Sequence, residues 1–206
     1  VVWTRMTNPP LDVSAVESNS ILAATEQSGN IADHVKGNKD GKILLVEYGD
    51  FQCPSCGVAH PHLNSLMEEY GDSTTLVYRN FPLTTIHPNA RAAAGAAEAA
   101  GLQGKYWEMY DTLFESQNSW SGLDATQRTS VFNGYAQALD LDLEKFTEDI
   151  ASANVSKKIT FDQALGKKIG VDATPAFYLN GEKLDSETSS ALVQGDLTKI
   201  KAKLDA

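Results

Sequence analysis

The order of hydrophobic and polar positions predicts a strand, a helix and a second strand in the first half of the chain. A short continuous apolar run at Ile43–Val46 is typical of a strand buried on both faces. Apolar residues then recur at helical spacing between Ala59 and Tyr70, and the helix is predicted to end at Gly71. The stretch Thr75–Phe81 predicts the second strand. Because the connections are short, the three elements form a parallel βαβ unit.

The middle of the chain has a helical period throughout. The predicted helices cover His87–Ala100, Lys105–Glu115, Asp124–Leu139, Asp142–Ala151 and a last stretch from Val155 to Ile169. Pro88 stands near the start of the first of these, where its missing amide costs nothing. A block made only of helices is therefore expected after the βαβ unit.

Strand character returns near the C-terminus. After an apolar run at Ala176–Leu179, Asn180 and Gly181 give a strong hairpin signal that leads into Glu182–Leu184. A C-terminal helix ending near Leu204 closes the chain. The order βαβ, helices, ββα predicts an α/β (α+β) fold.

Residues 1–30 differ from the rest of the chain. They are rich in Ser, Thr, Asn, Pro and acidic residues without a sustained period, which predicts a tether or a loosely docked arm. The remainder divides into an α/β domain at 31–84 and 170–206 and an inserted helical domain at 85–169. Because the chain begins with Val1, we expect a targeting or membrane-anchoring segment to be absent from it.

Composition indicates an acidic globular protein and removes two classes of partner. The 206 residues include 27 acidic and 17 basic side chains, a net charge of −10, and 42% are hydrophobic. Without a basic stripe such a chain binds phosphate backbones poorly, so nucleic acid is excluded as a main partner. No apolar run is long enough to span a bilayer.

The two cysteines of the chain, Cys53 and Cys56, are separated by two residues. A disulfide that closes a loop of about four residues stabilises a fold by only ~2 kcal/mol before strain. Stability is therefore a weak reason for this spacing. Metal binding or redox chemistry remains.

The dipeptide between the cysteines favours redox chemistry. Pro54 fits the first helical position, which makes Cys53 the N-cap residue, where free amides and the helix dipole stabilise a thiolate. The pKa of Cys53 should therefore fall below its free value of about 8.5. Cys56, one turn into the helix and facing the core, is the natural resolving partner, and Ser55 completes the motif.

Two other interpretations of the cysteines stay open at this point. His60 and His62 follow the pair, which suggests half of a zinc site, although the two histidines point about 200° apart on a helix and the spacing differs from that of a zinc finger. Buried, inert cysteines are the second alternative. The histidines, including His34 and His87, are interpreted as surface or capping residues, and no metal site is predicted.

A carboxylate and a proline add to the candidate site. Glu47 shares a strand face with Ile43 and Leu45, so burial should raise its pKa, and it lies where it could relay a proton for Cys56. The alternative is a carboxylate that reaches water at the strand end. Pro175, after Thr174, opens the later strand, which suits an edge strand or a cis peptide bond.

Two segments together resemble a known family. The segment VEYGDFQCPSC at 46–56 resembles the active-site segment of the DsbA-like thiol-disulfide oxidoreductases of the thioredoxin superfamily, and GVDATPAFYLNG at 170–181 resembles their cis-proline loop and hairpin. The resemblance covers roughly 31–206 and implies a thioredoxin fold, βαβ and ββα, with an inserted all-helical domain.

The resemblance implies a role for each site residue. Cys53 would be the exposed nucleophile, Cys56 the buried resolving cysteine and Glu47 the acid that handles protons for Cys56. Thr174 and cis-Pro175 would form the loop that pairs with an extended substrate peptide. The sequence departs from the strongest oxidases of the family at the dipeptide, which is Pro-Ser here and Pro-His there.

The implied function is the introduction of disulfide bonds into secreted or cell-envelope proteins outside the cytosol. The redox-active Cys53–Cys56 disulfide would be the only cofactor, and a quinone-linked membrane protein of the DsbB or VKOR type would reoxidise it. The partners are unfolded or reduced secreted proteins, and we expect a monomer. The alternatives are a disulfide reductase or isomerase with the same site, or a peptide-binding chaperone.

Overall fold

A five-stranded mixed sheet forms the centre of the structure, a computed structural model that describes residues 10–206. Strand β2 (Ile43–Gly49) and strand β3 (Thr74–Asn80) pair in parallel, with Leu45 opposite Leu76 and Val46 opposite Val77. Helix α1 (Pro54–Tyr70) joins them. This unit confirms the βαβ arrangement predicted from the sequence.

Three short strands, β1 (Val35–Gly37), β4 (Ala176–Leu179) and β5 (Glu182–Lys183), complete the sheet, whose order is β1-β3-β2-β4-β5. Strand β4 (Ala176–Leu179) pairs antiparallel with β2, and β5 (Glu182–Lys183) pairs antiparallel with β4. Strand β1 (Val35–Gly37) pairs antiparallel with β3 and was not predicted, because three residues with a single apolar side chain give no strand signal.

Helices fill the chain between β3 and β4 and follow β5. They are α2 (Ala90–Gly101), α3 (Tyr106–Glu115), α4 (Gln117–Trp120), α5 (Ala125–Ala138), α6 (Leu143–Ile150), α7 (Ala153–Lys168), α8 (Ser186–Gln194) and α9 (Thr198–Leu204). None of the helices within residues 10–206 is long and apolar enough to cross a membrane.

Two helix predictions need correction. The Ala-rich helix begins at Ala90, after the N-cap residue Asn89, and not at His87 or Pro88, because His87 lies 2.7 Å from Asp50 of the loop between β2 and α1. The predicted single C-terminal helix is two helices, since the chain takes a left-handed turn at Gly195 (φ 86°) between α8 and α9.

The alternation of β2 and β3 places apolar residues on both faces of the sheet. On one face Leu45 and Leu76 pack with residues of α1, α8 and α9, among them Leu63. On the other face Val46 and Val77 pack with residues of α7. The buried run at Ile43–Val46 therefore has the environment that its composition predicts.

The described part of the N-terminal arm is firmly attached to this core, in contrast to the loosely docked arm predicted from composition; residues 1–9 lie outside the described part. The guanidinium of Arg79 on β3 donates to the backbone oxygens of Ser18 and Ser20 at 2.6 and 2.7 Å. Lys168 of α7 donates to the oxygens of Ser14 and Val16. The backbone oxygens of the arm accept these bonds whatever side chains the arm carries, so the hydrophobic pattern of the arm could not indicate them.

A buried ion cluster connects the arm, β3 and α7. Asp33 lies 2.7 Å from the guanidinium of Arg79 and 3.2 Å from the ammonium of Lys158, which is itself 2.7 Å from Asp162. All four side chains are almost entirely inaccessible to solvent. In such a cluster, removal of one member leaves an opposite charge buried without compensation.

We predict that Lys158→Met lowers the free energy of unfolding by about 3–5 kcal/mol, because Asp162 loses its buried cation. Urea denaturation measures this loss. The matched control is Lys145→Met, which removes an exposed ion pair with Asp149 and should cost less than about 1 kcal/mol. Equal losses in the two variants would contradict the importance of the cluster.

Candidate active site

The candidate site lies where β2 leads into α1. Cys53 is the N-cap residue of the helix, in extended backbone geometry (φ −68°, ψ 122°), and Pro54 occupies the first helical position as predicted. Both cysteines are free thiols. Pro54 and Ser55 are exposed to solvent.

Cys53 is less accessible than the resemblance implied. Its relative exposure is 7%, against 1% for Cys56. The loop before Pro175 contacts the Cys53 sulfur, and the thiol donates a hydrogen bond to the backbone oxygen of Thr174 at 3.4 Å. The nucleophile is thus largely buried and not a freely exposed group.

The surroundings of Cys53 lower the pKa of its thiol to about 5. Hydrogen bonding from the Cys56 thiol is the largest cause and lowers the pKa. Burial, the next largest, raises it, and the Thr174 hydroxyl and the amides of Cys56 and Ser55 lower it. The Thr174 hydroxyl is buried and has no partner within residues 10–206, so it is free to donate to a thiolate. These groups favour the anion at this sulfur.

The pKa of Cys56 moves in the opposite direction. Burial raises it well above the ordinary thiol value, and the hydrogen bond that Cys56 gives to Cys53 and the nearby carboxyl of Glu47 raise it further. One thiol of the pair is therefore an anion at neutral pH and the other remains neutral.

Glu47 is a buried acid beside the two thiols. It sits on β2 between Tyr78 of β3 and Phe177 of β4, with no exposed surface. Burial raises its pKa to about 8, a thiolate at Cys53 adds to the shift, and the Tyr110 hydroxyl opposes it. Since the side chain has no exposed surface, the carboxyl does not reach water as a strand-end group would, and neither carboxyl oxygen has a hydrogen-bond partner in the described part of the chain.

The proline loop forms the other wall of the site. The peptide bond between Thr174 and Pro175 is cis, and Ala176 directly afterwards pairs with Tyr48 of the central strand. Strand pairing therefore brings the loop, distant in sequence, to the Cys53 sulfur. Thr174 and Pro175 are both partly exposed.

The histidines beside the motif have other partners. Contrary to the prediction of a surface or capping residue, His60 is buried, and its Nε2 lies 2.7 Å from a carboxylate oxygen of Asp111. His62 lies against Gly195 at the end of α8. Within residues 10–206 no cluster of three or more metal-binding side chains occurs.

Sequence reasoning missed two features around the site. Tyr78 and Tyr110 border Glu47, whereas the sequence pattern places them only within a predicted strand and a predicted helix. Asp50, at the end of β2, accepts hydrogen bonds from the amides of Gln52 and Leu83 and lies 2.7 Å from His87. The position of Asp50 directly after a buried strand was the available signal, whereas its partners lie too far along the chain to be inferred.

Comparisons with known proteins agree with this geometry. The sequence model of the family described as Thioredoxin matches residues 29–195. Among solved structures, the chain is similar to a thioredoxin-like oxidoreductase from Silicibacter pomeroyi, with TM-score 0.65, 25% identity and coverage of 87% of this chain and 99% of that one. It is also similar to BdbD from Bacillus subtilis, with TM-score 0.70, 20% identity and coverage of 90% and 97%.

The curated relatives are longer proteins. The chain is 40% identical over 151 residues to the Na(+)/H(+) antiporter NhaA 1 of Salinispora arenicola, a match that covers 73% of this chain and 22% of the antiporter. It is 39% identical to the antiporter of the same name from Mycolicibacterium vanbaalenii, covering 72% and 23%. The chain thus spans less than a quarter of the length of these relatives.

We predict that Cys53 is alkylated far faster than Cys56 at pH 6. At this pH a thiol with a pKa of about 5 is mostly thiolate, whereas the buried Cys56 stays protonated. Mass spectrometry of the protein after timed exposure to iodoacetamide measures both rates. Equal rates, or a faster Cys56, would contradict the assignment.

We predict that Glu47→Gln stabilises the reduced protein increasingly as pH rises. The folded pKa of about 8 lies above the ordinary value of 4.5, so the folded state keeps a proton that the unfolded state releases. Below pH 4.5 Glu47 is protonated in both the folded and the unfolded state, so the parent and Glu47→Gln differ least in the free energy of unfolding. As pH rises from 4.5 toward 8, the unfolded parent loses this proton and the parent becomes less stable than the variant. At pH 7 the variant should be more stable by about 3 kcal/mol.

Urea denaturation of the parent and Glu47→Gln at two pH values measures the difference. The control is Glu68→Gln, which changes an exposed glutamate of α1 and should show the same difference at both. A gap between parent and Glu47→Gln that does not widen with pH would show that Glu47 is not a buried acid.

Proposed function

The chain belongs to the thioredoxin family, and we propose that it is a DsbA-like thiol-disulfide oxidoreductase that introduces disulfide bonds into proteins outside the cytoplasm. The opposite pKa shifts of the two thiols carry the proposal. A thiolate that is stable at Cys53 is a good leaving group, and its stability favours the dithiol over the disulfide. A pair of this kind transfers its disulfide to a substrate.

The reaction consists of two thiol-disulfide exchanges. A substrate thiolate attacks the Cys53 sulfur of the Cys53–Cys56 disulfide, an S–S bond forms between substrate and Cys53, and the Cys56 thiolate leaves. A second thiolate of the substrate then attacks the substrate sulfur of this mixed disulfide, and the Cys53 thiolate leaves. The substrate loses two electrons, and the protein gains them as a dithiol.

Glu47 handles the proton of the buried cysteine. A Cys56 thiolate released into an apolar interior is costly, and a carboxyl with a pKa of about 8 is protonated at neutral pH and can give up its proton there. When the disulfide is formed again, the same carboxylate takes the proton from Cys56. Because burial raises its pKa to about 8, Glu47 can give a proton to Cys56 when the disulfide is reduced and take it back when the disulfide is formed.

The Thr174–Pro175 loop is proposed to hold the substrate backbone. When Cys53 is protonated, its thiol donates a hydrogen bond to the Thr174 oxygen. A Cys53 thiolate or a mixed disulfide at Cys53 has no such hydrogen, so this oxygen is then available to the amide of an extended peptide, as in strand addition. Pro54 and Ser55, which follow Cys53 directly, are exposed to solvent at the same site.

The direction of net reaction and the partners belong to the same proposal. We favour oxidation over reduction or isomerisation because the stable Cys53 thiolate makes the disulfide oxidising, although Ser55 lacks the imidazole of the strongest oxidases.

The protein would act as a monomer without a further cofactor, and a quinone-linked membrane partner of the DsbB or VKOR type would take the electrons. An oxidising compartment is required for such a cycle. Cation transport is not carried over from relatives that match over less than a quarter of their length.

We predict that the disulfide form of the parent oxidises a reduced, unfolded substrate protein. Cys53→Ala cannot form the disulfide and should therefore show no such oxidation. Loss of free thiols in the substrate measures the reaction, and suppression of substrate aggregation is measured in parallel. A peptide-binding chaperone would keep its activity in this variant, since the loop at Pro175 is unchanged. Retained substrate oxidation would contradict the proposal.

The variant Cys56→Ser supplies a second readout of the same chemistry. Its Cys53 thiolate should attack a disulfide-bonded substrate and remain joined to it, because no resolving thiol is present. Non-reducing gels should show this adduct, and Cys53→Ala should not form it.

A further inference from the structure

An amide of the inserted helices holds the backbone of the catalytic loop. The Gln117 side chain, at the start of α4, donates to the backbone oxygens of Phe51 and Cys53 at 2.7 and 2.9 Å. One amide group thereby fixes the carbonyls on both sides of Gln52. The only side-chain hydrogen bonds to these two oxygens within the described part of the chain come from Gln117.

The carbonyl of Cys53 is a critical point in this loop. Pro54 has no amide hydrogen, so the peptide between Cys53 and Pro54 can be oriented only through its oxygen. That oxygen also accepts the first helical hydrogen bond, from Gly57 at 3.1 Å. Its direction sets where the helix begins, and hence where the amides of Ser55 and Cys56 point relative to the Cys53 sulfur.

Gln117 stands on a rigid base. Trp120, one turn further along α4, is fully buried, and its indole donates to the oxygen of Leu113 at 2.9 Å. The next segment holds the loop as well, because Gln52 donates to the oxygen of Ser121 at 2.8 Å. A side chain held in this way can restrain the loop that it contacts.

Gly57 in α1 leaves the space that Gln117 occupies. A β-carbon at this position would lie 2.8 Å from the Gln117 side-chain oxygen and 3.1 Å from its amide carbon. Glycine inside a helix is destabilising relative to alanine by about 1 kcal/mol. The approach of Gln117 gives this glycine a reason that helix stability does not.

We propose that Gln117 is a positioning residue for Cys53: its amide fixes the N-cap carbonyl so that the start of α1 stabilises the Cys53 thiolate. The inference rests on the proposed function and adds to it a link between the helical insertion and the redox chemistry of the site. Gln117 touches no reacting atom and acts only through the backbone.

The test measures the pKa of Cys53 from the ultraviolet absorbance of the thiolate as a function of pH. Gln117→Leu keeps most of the side-chain volume and removes the donor. We expect the pKa of Cys53 to rise, so that its alkylation rate near pH 5 falls about two- to tenfold, the equivalent of one hydrogen bond. The control, Gln103→Ala, removes an amide that bonds only the backbone of Asp142 and should leave the pKa unchanged.

Gly57→Ala separates positioning from folding. The new methyl group should displace the Gln117 amide from the two carbonyls while improving the intrinsic stability of the helix. We expect the same rise in the pKa of Cys53 without a loss of thermal stability, and no further rise when Gln117→Leu is added to it. This variant keeps the proposal testable if Gln117→Leu folds poorly.

The outcomes distinguish the inference from the proposed function. A Cys53 pKa unchanged in Gly57→Ala and in folded Gln117→Leu would overturn the positioning role while substrate oxidation by the parent still stands. A parent that fails to oxidise the substrate, yet whose Cys53 pKa depends on Gln117, would overturn the proposed function alone.

Discussion

The unequal environments of two thiols, one helical turn apart, are the constraint on which the rest of the structure depends. Cys53 lies at the positive end of α1, where hydrogen bonds lower its pKa to about 5, and Cys56 lies inside the core, where burial keeps it neutral. The difference requires Pro54 at the start of the helix, a strand that delivers the chain to that point, and a loop that covers the sulfur. The first two follow from the local sequence, and the third follows from the pairing of β2 with β4.

The sheet explains how an acid can stand beside these thiols. Strand β2 is the middle strand of the sheet and is covered on both faces, so a side chain on either face has no route to water. Burial accordingly raises the pKa of Glu47 to about 8. The helices between β3 and β4 contribute Tyr110 near Glu47 and Gln117 at the catalytic loop. The insertion is therefore part of the site and not only a cover over the sheet.

The sequence predicts those parts of this arrangement that depend on neighbouring residues. The apolar run at Ile43–Val46, the helix start at Pro54 and the burial of Glu47 follow from local pattern, and the structure has all three. Strand β1, the burial of His60 and the contacts of Gln117 depend on partners far along the chain, and no local period indicates them. Only strand pairing brings Thr174 to Cys53, so local pattern could not place the proline loop at the site. The role of this loop was expected from the resemblance to a family.

The equilibrium between the Cys53–Cys56 pair and glutathione tests the central claim most directly. If Cys53 is a stabilised thiolate, the pair is almost entirely dithiol in a glutathione buffer poised at about −200 mV, as expected of an oxidising disulfide. A pair that stays mostly disulfide in the same buffer, as one with a potential of about −270 mV would, contradicts the account.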